Sequence, residues 1–170
     1  MTDDSEVRFG GVTRLFGAVA AERLRRAHIC VVGMGGVGSW TVEALARSGV
    51  GQFTLVDLDD VCVSNVNRQL HALEGTVGRP KVEVMAERVR SINPRCGVRP
   101  LSMFFTDATT ETILDTRYDY VVDAIDRVAN KCRLLGGCRE RSLPVVTFGG
   151  AGGRRDALGS LPSWIWTMSA

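Results

Sequence analysis

An α/β fold, a mostly parallel sheet with helices on both faces, is what the sequence predicts, and three observations predict it. Short β-branched runs alternate with stretches of helical spacing along the whole chain. The first of these runs ends in a glycine cluster that leads directly into a helix. No internal repeat or low-complexity segment breaks the alternation. With 170 residues, 45% of them hydrophobic, the chain suffices for one globular domain that buries about 70% of its unfolded surface.

The elements follow in order. Residues 12–26 set Leu15, Phe16, Val19 and Leu24 near one helical face. His28–Val32 is a β-branched run ending in glycine, which reads as a buried parallel strand. Residues 37–48 have helical spacing and stop at Gly49, a C-terminal glycine. Gln52–Val56 is the next strand, closed by Asp57. Pro80 stands at a helix start, where its missing N–H costs nothing, and Lys81–Ile92 runs helically until Asn93-Pro94 ends it. Val98–Leu101 is a weaker strand, and Asp107 caps a short helix to Leu114. Tyr118–Val122 predicts a strand, 127–141 a helix and Leu143–Phe148 a last strand.

Composition narrows the class. A formal charge of +2 with 24% charged residues does not mark a nucleic-acid binder. Arginines cluster locally at 133, 139, 141, 154 and 155, either as a solvated basic face or as a surface for an anionic partner. Five cysteines, at 30, 62, 96, 132 and 138, form no C-x-x-C pair, so neither a zinc site nor a thioredoxin-like site is indicated. Their scatter and the lack of a signal peptide fit a reducing cytoplasm. No apolar stretch approaches the roughly 20 residues of a membrane span.

The chemistry lies in the spacing of polar residues after the glycines. In Gly33-Met34-Gly35-Gly36-Val37-Gly38, Gly33 permits a tight turn, and Gly35 and Gly36 clear the way for a phosphate. Gly38 lets helix pack on strand, and the helix N-terminus adds N–H donors and partial positive charge. This is a Rossmann-like arrangement. Asp57, at the end of the second strand, is placed to accept from ribose hydroxyls, with Asp59 as a second carboxylate beside it. Taken alone, the glycines and Asp57 favour a dinucleotide-binding fold and a nicotinamide-dependent oxidoreductase. Asn65, Asn67, Arg68 and Gln69, followed by Lys81, reverse that preference. Redox domains do not cleave a pyrophosphate, whereas displacement at phosphorus needs positive charge whose value grows in the transition state. Asp126, just past a strand's carboxyl end, suits Mg²⁺, which takes one or two carboxylates together with phosphates. Asp123 reads as a structural residue capping the next helix. His28 and His71 read as satisfied packing histidines.

These residues resemble the ubiquitin-activating-enzyme-like ATPases of the ThiF/MoeB/HesA family, from about Arg8 to Gly153. The motifs are GxGGxG, DxDxVxxSNxNRQ, GxxK and DAID, and the likeness is to the branch that dehydrates threonylcarbamoyladenosine in tRNA. The resemblance implies that Gly36 lies against ATP, Asp57 holds its ribose, and Asn65, Arg68 and Lys81 contact the phosphates. Asn67 and Gln69 would support them, and Asp126 would bind Mg²⁺. It also implies a homodimer in which an N-terminal arginine, Arg8 or Arg14, reaches the partner subunit's site. A cysteine-desulfurase or sulfur-acceptor partner is implied as well. The expected reaction is adenylation of a carboxylate. The alternatives are activation of the C-terminal glycine of a ubiquitin-like sulfur carrier, or a nucleotide-binding scaffold without turnover. Residues 1–153 are thus expected to form the adenylation domain. Residues 154–170 match nothing in that branch and read as an atypical tail, truncated or frameshifted, which predicts retained ATP binding with turnover in question.

Overall fold

Five of the apolar runs become strands of one sheet. The computed structural model describes residues 4–149. Its strands are His28–Val32 (β1), Gln52–Val56 (β2), Gly97–Leu101 (β3), Tyr120–Asp123 (β4) and Val145–Thr147 (β5), ordered β3-β2-β1-β4-β5. Each pairing is parallel, with Val32 opposite Val56 on one side and Asp123 on the other. Among the described residues the sheet is therefore wholly parallel. The chain leaves β1 toward β2 and β3 on one side and returns through β4 and β5 on the other. Such a reversal opens a crevice beyond the carboxyl ends of the central strands.

Six helices accompany the strands among the described residues: Ser5–Phe16 (α1), Ala18–Arg26 (α2), Gly36–Arg47 (α3), Lys81–Ile92 (α4), Thr110–Leu114 (α5) and Val128–Glu140 (α6). The period of two along β1 divides the core into two layers. Ile29 and Val31, with Phe53 and Leu55, pack against Val42 and Ala46 of α3 and Val82, Met85 and Val89 of α4. Cys30 and Val32 face the other way, against Ile113, Leu114, Leu134 and Cys138 of α5 and α6. Helices thus cover both faces, as the sequence predicts. Buried Glu43 ties α3 to α4 by accepting from Arg88 at 2.6 Å and from Arg47 at 2.7 Å. The Arg88 bond, helped by Arg47, holds its carboxyl below the ordinary range against the opposing effect of burial.

Four expectations change. Asp107 does not cap the short helix: it lies within the 3₁₀ turn Asp107–Thr109, and α5 starts at Thr110 behind Thr109. The single helix over 12–26 is two helices, because Gly17 takes φ +84°, a conformation that glycine adopts without strain. Leu15, Phe16 and Val19 are exposed there, while Phe9, Ala21 and Leu24 face the core. The strand predicted from Tyr118 begins at Tyr120, since Tyr118 turns inward, donates its hydroxyl to the Ile113 carbonyl at 2.8 Å and meets the His28 ring edge-on. The last strand is cut to three residues.

Arg133 pairs with Asp107 at 3.0 Å and Arg141 with Glu111, so that part of the arginine cluster is a solvated, ion-paired face. Arg154, Arg155 and the tail lie outside the described residues, as does the proposed boundary at 153. All five cysteines are free. Burial pushes the thiols of Cys30, Cys96 and Cys138 up to about 12, 11 and 11, while Cys62 and Cys132 are exposed. No helix among the described residues is long and apolar enough to cross a membrane.

Candidate functional site

The glycine turn leaves β1 at the mouth of the crevice. Gly33 takes φ +98°, and a Cβ there would lie 2.7 Å from the Ala124 carbonyl, so the turns after β1 and β4 are in direct contact. At Gly38 a Cβ would fall 1.7 Å from the Gly33 carbonyl, which is why the first turn of α3 can close on β1 only with glycine.

From this turn a continuous hydrogen-bonded path runs through the predicted residues. Asp57 accepts from the Met34 N–H at 2.6 Å through one oxygen and from the Asp59 N–H at 2.8 Å through the other. Asp59 in turn accepts from the Lys81 ammonium at 3.1 Å. Lys81 is 5% exposed and is the first residue of α4, where the helix dipole disfavours a cation. Its one carboxylate partner among the described residues is half-exposed, so the charge of Lys81 is only partly compensated there. A carboxylate oxygen accepts more than one bond, which leaves Asp57 acceptor positions for a further donor.

The second group sits on the loop between β2 and α4. Asn65 is buried, and its carbonyl oxygen takes the Cys62 N–H at 3.0 Å. Arg68 is exposed, its guanidinium steadied by the Ser64 carbonyl at 2.8 Å and the Asn67 side chain at 2.9 Å. Gln69 is buried, and its carbonyl oxygen has no partner among the described residues. Gly36 lies beneath this loop, its Cβ position 3.6 Å from the Arg68 carbonyl. Two residues of α3 that sequence reasoning missed hold the loop down. The Trp40 indole N–H donates to the Arg68 carbonyl at 3.1 Å, and the Ser39 hydroxyl accepts from the Leu70 N–H at 3.3 Å.

Asp126 stands apart, exposed on the turn after β4 and free of a partner among the described residues. Its neighbour Asp123 does not cap α6, whose N-cap is Arg127 with no side-chain bond. Asp123 is instead fully buried, accepting from the Ile125 N–H at 3.0 Å, the Thr147 hydroxyl at 2.6 Å and the Lys131 ammonium at 2.5 Å. Lys131 also donates to the Phe148 carbonyl at 2.9 Å, so one ion pair joins the ends of β4 and β5 to α6. The histidines divide. His28 meets Thr54 at 3.0 Å, as a packing histidine should. His71 is 1% exposed and neither ring nitrogen has a partner among the described residues, so the satisfied reading fails for it. Burial, with Lys81 nearby, pushes its pKa down to about 4.

A glycine turn, two carboxylates, a buried lysine and a loop arginine at one sheet edge match a known pattern. The sequence pattern of the ThiF family covers residues 11–157. The chain belongs to the ThiF family. Among its ThiF-family relatives is the tRNA threonylcarbamoyladenosine dehydratase of Haemophilus influenzae, 53% identical over 91% of this chain and 59% of the relative. The molybdopterin-synthase adenylyltransferase of Escherichia coli is 33% identical over 86% of this chain and 59% of the relative. The fold superposes on the crystal structure of the E. coli dehydratase in complex with ATP, with a TM-score of 0.89 at 53% identity, covering 91% of this chain and 64% of that one. The chain spans about three-fifths of the length of the dehydratases of H. influenzae and E. coli.

Proposed function

We propose that this ThiF-family chain binds ATP in the crevice beyond β1 and adenylates a carboxylate, that of threonylcarbamoyladenosine in tRNA, which then closes to its cyclic form. The observation that carries the reading is the hydrogen-bonded path from the Met34 N–H through Asp57 and Asp59 to the buried Lys81. It sets an incompletely neutralised ammonium beside a turn built for phosphate. The 53% identity to a dehydratase supports the choice of acceptor.

In this reading the glycine turn and the first N–H groups of α3 receive phosphate oxygens, and Asp57 accepts from the ribose. The substrate carboxylate attacks the α-phosphorus of ATP and pyrophosphate leaves. Lys81 and Arg68 stabilise the charge that accumulates on the leaving oxygens, while Asn65 donates through its free amide and Asn67 steadies Arg68. A ureido nitrogen of the same substrate then attacks the acyl-adenylate, closing a ring and releasing AMP. Both reacting groups belong to one bound molecule, so proximity replaces a protein nucleophile. Among the described residues no three His, Cys, Asp or Glu side chains cluster as a metal cage. One exposed carboxylate, unpartnered among the described residues, fits Mg²⁺, which phosphates largely hold, and Asp126 would be its protein ligand. When bound, the ion neutralises phosphate charge.

The family resemblance supports a homodimer. Arg8 is engaged by Asp4 and the Ile92 carbonyl of its own chain, which leaves exposed Arg14 as the better candidate to reach a partner subunit's site. Five cysteines without a disulfide are consistent with a reducing cytoplasm. The test is AMP and pyrophosphate release by the purified chain with ATP, Mg²⁺ and either threonylcarbamoylated tRNA or a ubiquitin-like sulfur carrier. Release with the tRNA alone is expected, and release with the carrier alone would reassign the acceptor. Arg68→Ala should lower the rate about 100-fold or more without lowering Tm, because the side chain is exposed. An unchanged rate removes Arg68 from the site.

A further inference from the structure

We propose that Trp40 is a positioning residue for Arg68, acting through the bond from its indole N–H to the Arg68 carbonyl; this rests on the phosphate role assigned to Arg68 above. The loop that carries Arg68 is anchored on either side, where Val61 and Ala72 pack on Val84 of α4 and Leu70 meets the main core. Between these anchors Val63 and Val66 point outward, at 71% and 53% exposed, so apolar burial contributes little around Arg68 itself. What holds it at this point is α3. The Arg68 carbonyl lies over Gly36, 3.6 Å from its Cβ position, Ser39 takes the Leu70 N–H, and Trp40 donates to the carbonyl of Arg68 itself. The same helix begins with the phosphate turn, so these contacts lock the arginine in register with the turn it would serve.

Burial does not explain a tryptophan here. Trp40 is 56% exposed, and a smaller residue would continue the helix equally well. Its distinctive contribution is a donor-only N–H on a rigid ring with two torsions, which fixes an acceptor's position at little entropic cost. A displacement of the guanidinium by about 1 Å is enough to lower catalysis by roughly 100-fold.

The experiment is a double-mutant cycle on ATP affinity in the full chain, measured calorimetrically with Mg²⁺ present. Trp40→Phe keeps the ring and removes the donor, and Trp40→His returns an N–H. The Phe variant should weaken ATP binding about three- to tenfold, the size of one net hydrogen bond, with Tm unchanged and recovery in the His variant. In an Arg68→Ala background the same Phe substitution should have no effect, because nothing remains to be positioned. Equal losses in both backgrounds, or no loss in either, overturn the positioning role while leaving Arg68 as assigned. If Arg68→Ala lowers the rate of AMP release but not ATP affinity, the same cycle is read on that rate; if it leaves both unaltered, the phosphate role falls, and the positioning role with it.

Discussion

His71 shows what a single residue can hide. In the sequence it lies in Leu70-His71-Ala72 with no polar partner in view, and it reads as a satisfied core histidine. The fold buries it without giving either ring nitrogen a partner among the described residues. Burial first, and the Lys81 charge second, lower its pKa from 6.5 to about 4. The native state therefore refuses a proton that the unfolded chain accepts, and the stability from this group is complete above pH 6.5 and is lost as pH falls toward 4. The loss amounts to about 3 kcal/mol. His71→Leu should flatten Tm between those pH values relative to the native chain, measured by circular dichroism; parallel curves would refute the assignment. Gly38 was legible where His71 was not. A glycine at the first turn after a strand has a local steric meaning, whereas the burial of a histidine depends on which loop covers it.

At the scale of elements, punctuation decided what could be read. The bounds of β1, β2 and α4 agree with the sequence reading because Gly33, Asp57 and the Pro80 and Pro94 positions limit them. Helices α1 and α2 were not separable, since a lone glycine is tolerated inside a helical pattern and its positive φ cannot be seen in advance. The Asp123–Lys131 pair was equally hidden, for it forms only when β4, α6 and β5 meet. Its strength is testable. Lys131→Met leaves a fully buried carboxylate without its cation, and should cost about 3–5 kcal/mol, read as a fall in the urea midpoint. Adding Asp123→Asn should restore part of the loss. A neutral outcome for the single variant would mean that the pair does not hold the junction together.

At the scale of the whole molecule, the strand order places both turns that carry polar residues at one end of the sheet, and the family follows from that placement and the motifs together. The glycine turn alone is common to nicotinamide and ATP folds, and the residues that separate the two come later, on the loop after β2, at the start of α4 and on the turn after β4. They could be read because their spacing is fixed by the elements between them. Trp40 and Ser39 could not, since helix positions give no sign of what a distant loop lays upon them. The discriminating measurement is thermal. ATP at about 100 times its Kd contributes about 2.7 kcal/mol, a rise in Tm of roughly 5–10 °C for a chain of this size, and NADH should give none. A rise with NADH and none with ATP would return the fold to redox chemistry.

The burial of the thiols gives the chain a chemical asymmetry. Alkylation requires an accessible thiolate, and Cys30, Cys96 and Cys138 are shut in with raised pKa values. A maleimide at neutral pH should therefore attach only to Cys62 and Cys132. The first opens the loop of Asn65 and Arg68, and the second follows Lys131 on α6. A dye pair on these two native positions, one on the loop after β2 and one on the helix after β4, would report by energy transfer whether those elements approach when nucleotide enters, with no cysteine engineered in.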